Sequence, residues 1–69
     1  MANYRIDYTV VTAGREYPGN DYYIYADSAG SARMMFRNDP DIRADAAARC
    51  MVAERDITHL RIERVICRD

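Results

Sequence analysis

Tyr4-Arg5-Ile6-Asp7-Tyr8-Thr9-Val10-Val11 is the stretch of sequence that decides the fold. Successive side chains of a strand point to opposite faces, so every second residue shares a face. The apolar and aromatic residues fall on one face, and they are Tyr4, Ile6, Tyr8 and Val10. The other face carries Arg5, Asp7 and Thr9. This alternation predicts a strand of an antiparallel sheet that has one face in water.

A second strand is predicted after a turn. Gly14 interrupts the first strand, and Pro18-Gly19-Asn20-Asp21 predicts a turn because Pro presets φ and Gly accepts a positive φ. Between them, Arg15-Glu16-Tyr17 either continues the hairpin or bulges out of it. The second strand is Tyr22-Tyr23-Ile24-Tyr25-Ala26. Tyr22, Ile24 and Ala26 share one face of it, so Tyr23 and Tyr25 lie on the opposite face.

Two helices are predicted next, because the apolar spacing changes from two to three or four residues. Asp27 or Ser28 caps the first helix, and Asn38-Asp39-Pro40 ends it and begins the second. We expect the second helix to close at Arg55-Asp56. The apolar stripe of the first helix is Ala29, Ala32, Met35 and Phe36, and that of the second is Ile42, Ala46, Cys50 and Ala53.

Alternation returns in the last segment, Thr58-His59-Leu60-Arg61-Ile62-Glu63-Arg64-Val65-Ile66-Cys67. Leu60 and Ile62 would point inward, and the alternation slips at Arg64, which predicts a bulge there or an apolar Val65 on the second face. A single crossover places this strand beside the first, whereas two full antiparallel helices would make it parallel to the first. We favour the crossover, with the second helix packing obliquely. It predicts one α+β domain over residues 1–69, with a three-stranded antiparallel sheet in order 2-1-3 and one or two helices on one face.

Composition and motifs argue against several classes of function. Ten arginines and eleven acidic residues leave a net charge of -1, which argues against a general nucleic-acid coat. No catalytic or cofactor motif is present, and His59 is the only histidine, so we expect no enzyme, no cofactor and no metal. Cys50 and Cys67 could form one disulfide. The chain shows no signal segment at its start, however, so we expect free thiols and a cytoplasmic location.

The tyrosines are the strongest indication of binding. Both faces of the second strand cannot be core if the helices cover only one side of the sheet, so part of this aromatic surface should be exposed. Tyr and Arg dominate interface hot spots. We therefore predict a partner-binding patch formed by Tyr17, Tyr23, Tyr25, Arg5 and Arg61. The alternatives are a small nucleic-acid-binding protein that stacks bases on this Tyr/Arg face, and a structural homodimer that buries it.

Tyr25-Ala26-Asp27-Ser28, followed by Ala32 and Phe36, resembles the strand-to-helix passage of small phage and mobile-element proteins of β-β-α-β layout. Several anti-CRISPR and other host-takeover proteins are similar in size. The resemblance implies a non-enzymatic inhibitor or modulator that occludes a host protein or ribonucleoprotein complex in the host cytoplasm. Helix capping explains the acidic residues Asp39, Asp41 and Asp45, although toward such a target they would also imitate nucleic-acid phosphates.

Overall fold

Three strands of eleven residues form one antiparallel sheet in the order β2-β1-β3. The computed structural model describes all 69 residues. Its elements are β1 (Ala2–Thr12), β2 (Glu16–Ala26), α1 (Ala29–Asn38), α2 (Pro40–Cys50), a 3-10 turn (Glu54–Asp56) and β3 (Ile57–Cys67). The predicted α+β class, the antiparallel pairing and the strand order 2-1-3 are confirmed. Both β2 and β3 are edge strands, each paired on one side only.

The core lies between the helices and one face of the sheet. Ile6, Tyr8 and Val10 of β1 are almost fully buried, as the alternation of that strand predicts. The ring centroids of Tyr8 and Phe36 are 5.0 Å apart, which joins the sheet to α1. The helices contribute the other large part of this single cluster, through Ala32, Phe36, Ile42, Ala46 and Ala47. The helices therefore cover one face of the sheet and leave the other open.

The predicted turn at residues 18–21 is wrong, because these residues lie inside β2. The chain reverses earlier, between Thr12 and Glu16, and the Thr12 N–H donates to the Arg15 carbonyl at 2.9 Å. Pro18 and Gly19 together lie opposite the single residue Thr9, which makes a β-bulge. Gly19 has φ of 81°, a left-handed conformation that glycine adopts at little cost. The Pro-Gly signal thus marks a bulge on an edge strand, where a missing N–H is tolerated.

The helix boundaries follow local capping chemistry. The Ser28 hydroxyl accepts from the Ser31 N–H at 3.1 Å, and the Asp39 carboxylate accepts from the Asp41 N–H at 2.9 Å, so both predicted starts are confirmed. The predicted end of α2 is wrong, because the helix stops at Cys50 and Met51 adopts a left-handed conformation. Ala53 therefore lies outside the helix, and Arg55-Asp56 belongs to the 3-10 turn.

The stripe predicted for α1 is only half correct. Ala32 and Phe36 are buried, whereas Ala29 and Met35 are exposed. An apolar stripe on a ten-residue helix can be centred in more than one way, and here the Tyr8 contact centres it on Phe36. Met35 lies about 100° from Phe36 around the helix and therefore stays in water. Ala29 is on the same side as Phe36 but is the first residue of the helix.

The irregularity predicted in the last strand is confirmed as a bulge. Asp7 lies opposite Arg64 and Tyr8 lies opposite Ile62, so Glu63 is the extra residue. The bulge restores Val65 to the inward face, opposite Ile6, which decides between the two alternatives that the sequence leaves open.

Neither α1 nor α2 combines the length and the apolar character that a membrane-spanning helix needs. The thiols of Cys50 and Cys67 are both free.

Candidate functional site

The open sheet face brings together four of the five predicted partner-binding residues. Arg5 lies opposite Tyr23, and Tyr25 follows on the same face of β2, while Arg61 lies opposite Thr9. Thr9 is four positions after Arg5 in β1, so Arg61 is about 13 Å further along the sheet. The predicted residues are therefore distributed along this face rather than gathered at one point.

Tyr17 lies on the other face. It pairs with the inward residue Val10 and packs beside the core, because the extra residue of the Pro18–Gly19 bulge reverses the alternation upstream of it. The Arg15 guanidinium lies 5.1 Å from its ring centroid. Tyr17 thus forms no patch with Tyr23 and Tyr25, and the position of the bulge is the reason.

Arg61 is already engaged by two carboxylates of its own chain. Its guanidinium reaches across the central strand to Glu16, with N–O distances of 2.9 and 3.2 Å, and its Nε donates to Glu63 at 2.9 Å. These contacts raise the pKa of Arg61, and the hydrogen bond from Arg61 lowers the pKa of Glu16. A guanidinium held in this way has few donors left for a partner.

Arg5 is engaged in the same manner at the other end of the face. Its Nε donates to the Asp7 carboxylate at 2.9 Å, and Arg64 contacts the second oxygen of that carboxylate at 2.9 Å. The hydrogen bond to Asp7 is the main cause of the raised pKa of Arg5. The arginines Arg5 and Arg61 of the open face are therefore paired with carboxylates of the same chain. A nucleic-acid-binding surface instead needs unpaired cations that can contact the phosphate backbone.

Tyr23 and Arg68 form the one cation–aromatic contact on this face. The Arg68 guanidinium carbon lies 5.6 Å from the Tyr23 ring centroid, and its NH1 is 3.5 Å from the Tyr23 hydroxyl. Arg68 reaches this position because its backbone N–H donates to the Asn3 carbonyl at 2.8 Å, which continues the β3 pairing by one residue. Arg68 lies beyond the predicted last strand, so the strand pattern of the sequence does not indicate its place on this face.

Most of the large exposed apolar side chains gather where β2 ends and α1 begins. Tyr25, Met34, Met35 and Met1 line a cavity of about 600 Å³ with Ala26, Asp27, Gly30 and Ser31. Tyr23 adjoins it two residues before Tyr25 on the same strand face. We call the five residues Met1, Tyr23, Tyr25, Met34 and Met35 the Tyr–Met patch. Only one other large hydrophobic side chain of the chain is exposed, that of Met51.

Local sequence explains how the patch crosses from sheet to helix. Asp27 and Ser28 are the only residues between β2 and α1, so α1 begins beside the end of β2. With Ala32 and Phe36 facing the core, the helical period directs Met34 and Met35 away from it. Met34 is 63% exposed, against 57% for Tyr25, so neither is covered by its own chain. The apolar spacing of the sequence placed Met35 in the core stripe and left Met34 outside it, so neither was predicted as a binding residue.

The three acidic residues Asp39, Asp41 and Asp45 lie along the first half of α2. Asp39 is the N-cap of this helix, and Asp41 lies in its first turn, where a negative charge complements the helix dipole. Asp45 is 3.1 Å from the Arg49 Nε, in an i,i+4 ion pair. These contacts agree with the capping interpretation, and no group of three metal-ligating side chains occurs in the chain.

The residue types that support nucleophilic catalysis are held apart. The Cys50 thiol is 4.0 Å from the Asn20 Oδ1 on β2, whereas His59 lies on β3 at the opposite edge of the sheet. The His59 ring has one side-chain hydrogen-bond contact, from Nδ1 to the Thr58 hydroxyl at 3.5 Å. A nucleophile and a base must be within hydrogen-bond reach of each other, and this pair is not.

Comparisons with known proteins give no family to which the chain can be assigned. No protein-family model matches it, and no curated protein or solved structure shows significant similarity to it.

Proposed function

We propose that the chain is a non-enzymatic protein-binding module and that the Tyr–Met patch is its docking surface. One observation carries the proposal, namely that four of the six large exposed hydrophobic side chains line one surface cavity and that a fifth, Tyr23, adjoins it on β2. Single exposed hydrophobic residues need no explanation, but a contiguous cluster is typical of an interaction site.

The chemistry of the patch favours a protein partner. Tyr, Met and Arg are enriched in protein interfaces, and here Arg68 lies beside Tyr23 at the border of the patch. Methionine side chains are flexible and polarizable, so they adapt to an irregular apolar partner surface. A nucleic-acid backbone would instead require free cations, and the open-face arginines Arg5 and Arg61 are paired with carboxylates.

The class of partner comes from the resemblance to small phage host-takeover proteins. Such proteins inhibit or modulate a host protein complex by occluding one of its surfaces, so a host complex is the first partner to test. A protein of 8.0 kDa can act in this way without any catalytic group, since its effect depends only on the area that it covers.

A matched pair of variants tests the proposal. Tyr25→Ser with Met34→Ser removes two central side chains of the patch, and neither residue contributes to the core. Met51→Ser is the control, because Met51 is 91% exposed and does not line the cavity. The immobilised chain is incubated with lysate of the cells that naturally encode it, and captured proteins are quantified by mass spectrometry.

We expect the double variant to capture at least about tenfold less of a specific partner protein than the parent chain does, while Met51→Ser captures the same amount as the parent. Equal capture by all three chains would contradict the assignment of the patch. A two-copy mass in light scattering that reverts to one copy in the double variant would show a homodimer instead. Capture of nucleic acid that falls steeply with salt would show the other alternative, the base-stacking protein.

A further inference from the structure

A second surface lies at the opposite edge of the sheet from β2, along the free edge of β3. A groove of about 550 Å³ is lined there by five consecutive residues of β3, from Thr58 to Ile62. Consecutive residues of a strand point to alternate faces, so a cavity that touches all five runs along the strand edge rather than over one face. Its other wall is the corner between α1 and α2.

The β3 edge offers unpaired backbone groups to this groove. The Arg68 N–H donates to the Asn3 carbonyl, so the backbone groups of Asn3 are directed toward β3. In an antiparallel sheet the backbone groups of every second residue of β1 are directed toward the same neighbouring strand. By this register Thr9 and Val11 face β3, where they lie opposite Arg61 and His59. The N–H and C=O groups of the intervening residues Leu60 and Ile62 therefore point away from β1, at the free edge of the sheet, toward the groove.

The same stretch of β3 carries apolar surface that the helices cover only in part. The side chains of Leu60 and Ile62 pack beside the core and remain partly exposed, next to the buried Phe36 ring. The Glu63 bulge ends the regular run after Ile62. The pairing with β1 also shifts at Thr58, between His59 and Ile57. An added strand would thus find four residues of regular edge, His59–Ile62, within the usual range of strand lengths.

Two arginines on the helix side of the groove have no carboxylate partner. Arg37 forms no ion pair, and Arg43 donates only to the Ile57 carbonyl at the start of β3. The Asp39 carboxylate also lines the groove, where it caps α2. His59 and Arg61 lie on the open-face side, and Arg61 is neutralised by Glu16 and Glu63. On the helix side, the two positive charges of Arg37 and Arg43 therefore exceed the one negative charge of Asp39.

We propose that this groove binds an extended acidic peptide segment of another protein, which adds to β3 as a fourth strand. Its backbone pairs with the outward N–H and C=O groups of Leu60 and Ile62. Its side chains on the helix side are carboxylates that meet Arg37 and Arg43. Main-chain pairing supplies affinity in this mode of recognition, and alternate side chains supply the preference for acidic sequences. The groove and the Tyr–Met patch lie at opposite edges, so one chain can hold two partner segments.

The test begins with selection of a random dodecapeptide display library against the full chain. We expect the selected peptides to carry Asp or Glu at alternate positions. Arg37→Glu should weaken their binding about tenfold, measured by fluorescence polarisation with synthetic peptides. Arg33→Glu is the matched control, because Arg33 is exposed on the same helix and does not line the groove. It should leave the affinity unchanged.

A backbone substitution tests strand addition directly. Cys50 allows the segment 50–69 to be made synthetically and joined to 1–49, with the Ile62 amide replaced by an ester. The ester removes one outward N–H that the fold does not use, so the chain should keep its circular dichroism spectrum and bind the peptides about fivefold more weakly.

Several results would overturn the proposal. Selection of no peptide, or of peptides without an acidic preference, would do so, as would equal affinity for the Arg37→Glu and Arg33→Glu chains. Unchanged binding by the folded ester chain would exclude strand addition. Loss of peptide binding in the Tyr25→Ser, Met34→Ser variant but not in Arg37→Glu would show that the peptides bind to the Tyr–Met patch and not to the groove.

Discussion

At the scale of single residues, Tyr8 is the unusual member of the core. Its side chain is 1% exposed, and its hydroxyl has no hydrogen-bond partner within the chain. Burial raises the pKa of this phenol to about 12, although the nearby Arg49 acts in the opposite direction. An unsatisfied buried hydroxyl opposes folding, so the ring of Tyr8 stabilises the core and its oxygen does not.

We predict that Tyr8→Phe stabilises the protein at neutral pH by up to about 1 kcal/mol. The parent chain should also lose stability in alkali. The pKa of this phenol is about 12 when folded and about 10 when unfolded, so folding favours the protonated form. The contribution of the protonated phenol to the free energy of unfolding is therefore complete below pH 10 and is lost as the pH rises through 12.

Urea unfolding at pH 7, 9 and 11 measures both effects. Tyr8→Phe should show a weaker loss between pH 9 and 11 than the parent, whereas Tyr25→Phe, at an exposed position, should follow the parent. If Tyr8→Phe destabilises the protein by more than about 1 kcal/mol at pH 7, the hydroxyl has a partner in solution, such as a bound water.

At the scale of elements, irregularities decide how each element ends and which residues it exposes. The bulge at Gly19 extends β2 upstream, and the bulge at Glu63 divides β3. Both bulges interrupt edge strands, which restricts uncontrolled pairing between copies of the chain. The end of α2 is a third irregularity, because a methionine occupies a position that usually requires glycine.

We predict that Met51→Gly stabilises the protein by about 1 kcal/mol. Met51 has φ of 57°, and the N–H of Val52 donates to the Ala47 carbonyl at 3.1 Å, which closes the helix in a Schellman arrangement. Glycine relieves the left-handed strain there. The loss of packing is small because the side chain is 91% exposed.

The matched control is Met34→Gly, in the interior of α1. Met34 is also exposed, but its backbone is helical, so glycine should destabilise the protein by about 1 kcal/mol. Thermal unfolding followed by circular dichroism compares the two variants with the parent. Destabilisation by both would mean that the left-handed turn at Met51 is not adopted in solution.

At the scale of the whole molecule, the core is small and its surfaces are large. Twelve of 69 residues are buried, and a chain of this length has a total stability of roughly 3–10 kcal/mol. One core contact is therefore a substantial fraction of the whole. Tyr25, Met34 and Arg37 lie outside the core, so loss of binding in their variants is separable from loss of folding.

We predict that Phe36→Ala leaves the protein largely unfolded. Phe36 is 2% exposed and contacts Tyr8, so its removal should cost about 3–5 kcal/mol, which is comparable to the total stability. Phe36→Leu is the control and should remain folded. Circular dichroism and urea titration measure both variants. A folded Phe36→Ala chain that loses less than about 1 kcal/mol would show that α1 does not anchor the core.

The sequence by itself determined the features that depend on neighbouring residues. Alternation assigned the faces of β1, Ser28 and Asp39 capped the helices, and the exposure of Tyr23 and Tyr25 followed from the parity of β2. These features are local, because side-chain direction and capping depend on a few adjacent residues. The strand order was also predictable, since a single crossover allows few arrangements.

Tertiary structure alone decided which residues meet across the sheet. The Gly19 bulge moved Tyr17 to the core face, and contact with Tyr8 centred α1 on Phe36, which exposed Met35. Arg61 pairs with Glu16 across 45 positions of sequence. Such outcomes depend on register and on long-range packing, which local periodicity does not encode. The sequence therefore predicted an exposed aromatic strand, and the tertiary structure joined that strand to the methionines of α1.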